Sequence, residues 1–459
     1  MTERQREIAL GLAVVALLVA GIGFDAARGP VKSTGTPSPG ELFVERARFC
    51  PPPIGKGVDA GIALASPPGS NGIVRKEGEE VEVTGDRAVV QGTTAASAPV
   101  GAGTVITASA FQRSVTSAPA TAAARCSAVA SPQWYFAEGS SALDFAEKII
   151  VYNPFPYEAV VRISLFTPAG EESRANLAEQ PVPAGETTIV DLNEFIRQQR
   201  FVGASITALR GRVVAWKSLA VTAEDRPAGT TLTLGATQTS ETWFFPEGEV
   251  SPGADERITV LNPTDEEAIV NISLSTSSET VQPPKLVEVV VPPRSLRPFP
   301  LHQFVTGASS DLGGASVSVR ETNGTGIVAE RTVFYDSAGL TGVAGEIGAP
   351  DAALAWMIGP PAAAPETDSI VVMNPGVNTA TFSVVILRGK GQPIKPQQFT
   401  GVRLKGGTRL KMPIGAYTRS RTAIVIVTSD EPIVAERVGS AGGDVATVMG
   451  SRFEPKSGS

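Results

Sequence analysis

The chain has 459 residues, a net charge of −7 and a pI near 5.2, with no cluster of basic residues. That balance argues against a nucleic-acid partner or an anionic-lipid surface. One histidine and two cysteines are too few for a structural zinc site, which takes four N or S donors, and no metal or other cofactor is expected.

At the N-terminus, the 17 residues from Ile8 to Phe24 carry no charge. A helix of that length covers roughly 25 Å, at the lower limit for a hydrocarbon core of roughly 30 Å. Residues 1–24 are therefore expected to be a signal anchor, a single transmembrane helix that makes the membrane a partner. A cleaved secretory signal is the alternative, although Gly21-Ile22-Gly23 is a poor cleavage context. Residues 25–40, rich in Pro, Gly, Ser and Thr, read as a flexible linker. Cys50 and Cys126 both follow in one segment and read as a disulfide, which needs an oxidising compartment; two buried free thiols are the alternative. The body of the chain is expected outside the cytoplasmic membrane.

An internal repeat organises the remainder. Trp134, Trp243 and Trp356 are followed 19, 19 and 18 residues later by Asn153-Pro154, Asn262-Pro263 and Asn374-Pro375. Apolar residues at period two precede each Asn-Pro (Ile149 and Val151, Ile258 and Val260, Ile370 and Val372), with an acidic residue before each pair: Glu147, Glu256, Asp368. A second alternating run follows, as in Ala159, Val161, Ile163 and Leu165, so each copy opens as strand, turn, strand. Asn-Pro is the breaker between them, because Pro cannot donate to a ladder. A late strand is marked by Val214-Ala215-Trp216-Lys217, Val328-Ala329-Glu330-Arg331 and Val434-Ala435-Glu436-Arg437. Gly235 and Gly348 stand eight positions before the next Trp, and Cys126 stands eight before Trp134. Residues 41–130 therefore read as a divergent copy with Cys in the Gly position and Val105-Ile106-Thr107-Ala108 as its late strand.

The period, about 110 residues, suits a whole domain rather than a propeller blade or solenoid turn. The expected fold is all-β: tandem antiparallel β-sandwich repeats, immunoglobulin-like, after the transmembrane helix. The expected domains are 41–130 (divergent, with the disulfide), 131–240, 241–350 and 351–459.

The blocks WYFAEG, YNPFPYEAVVRISLFTPAG, VPAGETT and VAER resemble a group of secreted or membrane-anchored actinobacterial repeat proteins of unknown function. The resemblance covers about residues 41–452 and implies an extracytoplasmic envelope location without an activity. Copy three departs from it, with Trp356-Met357-Ile358-Gly359 where the others end in Glu-Gly.

Little in the chain points to catalysis. His302 would have to carry any Ser-His-Asp or Cys-His relay, and the flanking PLHQFV lacks a nucleophile's context. Glu138 and Glu247 follow the aromatic blocks, as glycosidase carboxylates can, yet they lie in different copies and read as turn carboxylates. Trp134, Trp243 and Trp356 read as plugs between one domain and the next, or else as ligand platforms. Trp216, in the place of a Glu, reads as an exposed contact or a local core residue. The expected function is a non-enzymatic, membrane-anchored envelope protein, a structural or interaction scaffold that meets envelope proteins or glycans. A glycan-binding module array is the alternative, and an enzyme acting on cell-wall polymer is the weakest reading.

Overall fold

The computed structural model describes residues 48–54, 58–65, 72–76, 79–83, 87–91, 107–114, 120–304, 314–337, 339–362, 365–388, 392–418 and 423–453. The expected signal anchor and linker lie outside these residues. Among the described residues no helix is long and apolar enough to cross a membrane.

Repeat 1 contributes β1 (Val58–Ala65), β2 (Gly72–Lys76), β3 (Glu79–Val83), β4 (Arg87–Gln91), β5 (Thr107–Ser114) and β6 (Thr121–Arg125). Repeat 2 contributes β7 (Gln133–Phe136), β8 (Phe145–Tyr152), β9 (Ala159–Thr167), β10 (Gly170–Glu172), β11 (Gln180–Val182), β12 (Thr187–Asp191), β13 (Gly203–Arg210), β14 (Val214–Val221) and β15 (Gly229–Leu234). Repeat 3 follows the same order with β16 (Thr242–Phe245), β17 (Ala254–Asn262), β18 (Ala268–Ser275), β19 (Thr280–Val281), β20 (Val289–Val291), β21 (Ser295–Pro300), β22 (Ser316–Glu321), β23 (Val328–Ser337) and β24 (Leu340–Ile347). Repeat 4 has β25 (Ala353–Ile358), β26 (Thr367–Asn374), β27 (Ala380–Leu387), β28 (Val402–Leu404), β29 (Thr408–Pro413), β30 (Ile424–Ala441), β31 (Asp444–Met449) and β32 (Ser451–Arg452).

Repeats 2 to 4 each fold into two antiparallel sheets. In repeat 2 the outer sheet runs β10-β9-β13-β7 and the inner sheet β12-β8-β14-β15. Repeat 3 matches it strand for strand. In repeat 4 the 18-residue β30 serves both sheets, pairing with β25 and β27 and then with β26 and β31. Repeat 1 supplies the inner type of sheet, β4-β1-β5-β6, and a separate hairpin, β2-β3. The Asn of each Asn-Pro is the local reason the turns hold. The Asn153 amide donates to Tyr157 O (2.7 Å) and to Val182 O (3.0 Å), while its Oδ1 accepts from Phe155 N–H. Asn262 and Asn374 do the same, so a buried side chain ties the first turn to a second one about 30 residues on.

The expectation of a string of immunoglobulin-like sandwiches is corrected by the arrangement of these sheets. Residues 46–459 form one compact unit. The final strand of each inner sheet (β6, β15, β24, β31) packs beside the next, and β31 packs back on β6, closing a four-membered, propeller-like ring. The physical reason is burial on both faces. Outer strands alternate, as β18 does, but every residue of β31 is buried and β15 and β24 nearly so. Gly, Ala and Thr keep these central strands thin. Leu219 and Val221 of repeat 2 share a core with Phe334 and Val343 of repeat 3, and Val333 and Tyr335 share one with Val371, Val438 and Val445 of repeat 4. Ala63 and Ala123 of repeat 1 join the main core of repeat 4.

Cys50 and Cys126 form a disulfide, as expected from the sequence. The bridge Phe49–Ser127 corresponds to Tyr135–Ala236 and Phe244–Ala349, so Cys50 stands where Phe136 and Phe245 stand in the later repeats. There the phenyl ring lies on a glycine: a Cβ on Gly235 or Gly348 would come within 2.9 Å or 2.8 Å of it. In repeat 1 a covalent bond takes the place of that contact. Closing a segment with a separation of 76 residues stabilises by about 4 kcal/mol on chain entropy. The late strand of repeat 1 needs one correction. Ser109 pairs with Arg125 as Trp216 pairs with Leu234, so Thr107-Ala108-Ser109-Ala110 occupies that position, two residues later than expected.

At one end of the axis, Asp444 accepts a backbone N–H from every repeat: Thr121 (2.9 Å), Thr230 (3.0 Å), Val343 (2.9 Å) and its neighbour Val445 (2.8 Å). Gly229 and Gly342 make room for it, since a Cβ on either would lie 2.3 Å from Oδ1. Asp444→Asn turns one acceptor oxygen into a donor facing donors. Urea denaturation should register a loss of about 2–5 kcal/mol, as two buried N–H groups go unmet; a loss below about 1 kcal/mol would remove Asp444 from this role.

Candidate functional site

Many of the buried charged residues lie in two seams between repeats, and the strand register explains both. In the late strands the residue at the Glu330 and Glu436 position faces the preceding repeat, and the next residue, Lys217 or Arg331, faces the following one. Lys217 therefore meets Glu330 at 2.6 Å, and Arg331 meets Glu436 at 2.6 Å, all four essentially without solvent exposure. Each glutamate also accepts backbone N–H groups from the Trp-led loop of the preceding repeat: Ala137 and Glu138 on Glu330, both at 3.0 Å, and Glu247 on Glu436 at 2.9 Å. The cations complete the seam by donating to the Glu138 and Glu247 carbonyls.

Glu138 and Glu247 are thus placed as structural anions. Glu138 pairs with Arg257 and accepts from Thr259, both in repeat 3. Glu247 pairs with Arg409 (3.1 Å) and Lys411 (2.9 Å) of repeat 4. Burial works against the Glu247 charge, but Lys411, Arg409 and Arg331 outweigh it and hold its pKa below the usual value. The glutamates ahead of the first strand pair are buried too. Glu147 lies against Gly139, where a Cβ would come within 2.1 Å of Oε2, and it has no side-chain hydrogen bond. Burial pushes its pKa up to about 8, against the pull of Lys217. Glu256 is likewise pushed to about 8 by burial, against Arg331. Its Oε2 accepts from Glu249 N–H at 2.8 Å.

The seams stop at repeat 1. Its register puts Ser109 and Ala110 where the later repeats carry Glu and a cation. Arg437 accordingly turns to Asp368 of its own repeat, at 2.6 Å. Trp216 replaces the Glu that would have faced repeat 1; it is fully buried, and its indole donates to Arg125 O at 3.3 Å.

Trp134, Trp243 and Trp356 are at most 2% exposed. Their indole N–H groups donate to Val213, Ile327 and Ile433 carbonyls at 2.8, 2.9 and 2.7 Å, each inside its own repeat. Trp356 belongs to a core that also takes in Phe244 and Ala349 of repeat 3. All three Trp residues line a depression of about 330 Å³ at the end of the axis opposite Asp444, together with Arg48, Arg125 and Arg452. Sequence reasoning missed this depression, because only ring closure brings the repeats' ends together. His302 is half exposed, with Nδ1 3.1 Å from Asp255. Among the described residues no His, Cys, Asp and Glu cluster could hold a metal ion.

Fold and seams together define a class: an all-β, four-repeat ring locked by buried ion pairs. The chain belongs to a family of unknown function (DUF5719), which matches residues 81–320 and, in an overlapping second span, 233–451. No curated protein matches the chain. Among solved structures, "Crystal Structure of Thermotoga maritima 1070" is 16% identical, covering 23% of this chain and 94% of that one, with a TM-score of 0.21, too low to carry an argument.

Two expectations follow from the seams. Arg331→Met strands Glu436 without its cation and should cost about 3–5 kcal/mol, while adding Glu436→Gln should return a large part of it. Equal losses in the single and double variants, measured by denaturation, would mean that the pair is not coupled. The second concerns pH. In the unfolded chain Glu147 and Glu256 titrate near 4.5, so between that value and about 8 the folded protein keeps protons that the unfolded chain has released. Stability therefore falls as pH rises through that window, by up to roughly 1.4 kcal/mol per unit per group. The thermal midpoint should be higher at pH 6 than at pH 8.5, and Glu147→Gln should flatten the slope; a Gln variant with the parental slope would assign it elsewhere.

Proposed function

We propose that this chain is a non-enzymatic protein of the cell envelope, anchored by its N-terminal apolar segment, with its ring outside the cytoplasmic membrane as a structural or interaction scaffold. Its sequence blocks support the actinobacterial, membrane-anchored kind of protein that they resemble. The observation that carries the reading is the use made of chemistry-bearing side chains. Glu138, Glu247, Glu330, Glu436, Lys217 and Arg331 are spent on holding one repeat to another, and the disulfide favours an oxidising compartment. The alternative, a glycan-binding array built on Trp134, Trp243 and Trp356, has less support. Stacking needs an open indole face, and these faces are buried.

The test is location together with thiol state. Intact cells carrying the full chain with a C-terminal epitope should lose that epitope to added protease. The protein should fractionate with membranes, and Cys50 and Cys126 should resist alkylation until reduced. A protease-protected epitope with both thiols free in the soluble fraction would overturn the proposal. His302→Gln should leave folding and any cellular phenotype unchanged.

A further inference from the structure

We infer that the cleft between the outer sheet of repeat 2 and the Asn-Pro turn of repeat 3 binds a short saccharide, and that repeats 3 and 4 form a second, weaker copy of the same site. This does not depend on the envelope reading, and it uses none of the buried Trp residues. The first cleft, of about 450 Å³, is walled by Pro263 and Arg294 of repeat 3. The second, of about 310 Å³, is walled by Pro375 and Gly407 of repeat 4, the equivalent positions. Both volumes lie in the ordinary range for small-molecule sites, roughly 300–1,000 Å³.

The floor of each cleft is the solvent-side face of an outer sheet, and the cross-strand rows match. Tyr135, Ser205 and Ser164 lie side by side across β7, β13 and β9. Phe244, Ser318 and Ser273 lie in the same way across β16, β22 and β18. Repeat 4 shows that the fold does not need these hydroxyls. Its row is Met357, Ile426 and Val385, and Phe453 joins the same apolar cluster. In repeats 2 and 3 the row is polar and open instead. Ser205 lines the first cleft at 7% exposure, and among the described residues its hydroxyl has no hydrogen-bond partner. The Tyr135 hydroxyl has none either, and burial raises its pKa. A polar group so far withdrawn from water costs free energy that a ligand hydroxyl returns. In the second cleft Phe244 takes the place of Tyr135; it has no hydroxyl and is partly committed to the repeat 4 core, which makes that copy the weaker one.

Serine hydroxyls both donate and accept, as sugar hydroxyls do, and a tyrosine adds an apolar ring with a polar tip. Those are the contacts that a pyranose, with its polar rim and apolar C–H faces, can meet. Arg162, exposed on β9 beside Thr207, offers a planar fork of donors to adjacent hydroxyls. An anion is disfavoured, because the other arginines of the cleft are already paired with carboxylates: Arg174 with Glu172 at 2.8 Å, and Arg294 with Glu171 at 2.7 Å and with Asp265. An extended peptide is disfavoured too, because the backbone groups of these strands are engaged in the ladder and the cleft offers a face rather than an edge.

The test is an array of printed oligosaccharides probed with the full chain in a detergent without a sugar headgroup, followed by calorimetric titration of the best ligand. Saturable binding of a saccharide is expected. Ser205→Val should weaken it by about tenfold or more without lowering the thermal midpoint, since repeat 4 carries Ile426 at the equivalent position. Tyr135→Ala should also weaken it, whereas Ser318→Val should leave the tighter site unchanged and the exposed Arg403→Gln should change nothing. Should Ser205→Val fail to fold, as circular dichroism would reveal, Ser164→Val in the same row gives the same readout. The inference is overturned if no saccharide binds saturably, if inorganic phosphate or a Gly-Ser hexapeptide binds as tightly as the best saccharide, or if Ser205→Val and Ser164→Val both bind like the parent.

Discussion

The ring depends on one carboxylate at its axis. Four repeats that bring their inner strands together also bring backbone N–H groups together at one end, four donors facing a common buried centre. Asp444 accepts all four. Thr121 adds a further tie across the closing junction, its hydroxyl donating to Ala441 O at 2.7 Å. Burial pushes the Asp444 pKa up to about 7 even against the pull of those N–H groups, so the acceptor itself is held at a cost. Gly229 and Gly342 are part of the same device. Gly342 has φ +134, a backbone conformation closed to most side chains, and both glycines leave the space that the carboxylate fills.

Around that centre the junctions divide into two kinds. The two between repeats 2 and 3 and between repeats 3 and 4 are ionic and dry. Such pairs gain little net stability over apolar packing, since desolvation offsets most of the Coulomb attraction. What they do strongly is penalise a wrong neighbour: a buried Glu330 without Lys217, or a buried Glu436 without Arg331, is a stranded charge. The two junctions at repeat 1 lack the Glu–cation pattern of the late strands and combine apolar contact with hydrogen bonds, with Ala63 and Ala123 in the repeat 4 core, Thr121 bonded to Asp444 and Ala441, and Trp216 donating to the end of β6. The ionic junctions thus match repeats 2, 3 and 4 to one another, and the junctions without them let the ring close on a different partner.

Much of each repeat was legible in the sequence, and the ring was not. Period-two alternation located β9, β18 and β27, which have one buried face over most of their length, the apolar pairs ahead of each Asn-Pro located β8, β17 and β26, which are buried on both faces toward their C-terminal ends, and Asn-Pro located the turns because the Asn side chain bonds both of them. Inner strands such as β15, GTTLTL, and β31, DVATVM, carry small or mixed residues, and their burial comes from other repeats. No local pattern announces that. The acidic residues ahead of each strand pair and the Glu and Arg of the late strands were visible as repeated positions. Their pairing was hidden, because neighbouring residues on a strand point to opposite faces and each finds its partner in a different repeat. A domain-sized period also suggested separate cores, which holds for the outer sheets and fails for the inner ones.

The place where the repeat breaks is therefore where the ring differs from a purely structural closure. A four-fold set of equivalent copies would surround the open end of the axis with four Trp residues and four apolar residues such as Leu234 and Ile347. Repeat 1 instead supplies Arg48 at the indole position, Arg125 at an apolar position and a disulfide in place of a phenyl-on-glycine contact. Each of these could have been apolar without harm to the ring, since repeats 2 to 4 close that way. The disulfide holds Cys50, and with it the adjacent strand position of Arg48, against β6 and Arg125. The divergent repeat thereby holds Arg48 and Arg125 at the open end of the axis, where the other repeats carry Trp and apolar residues.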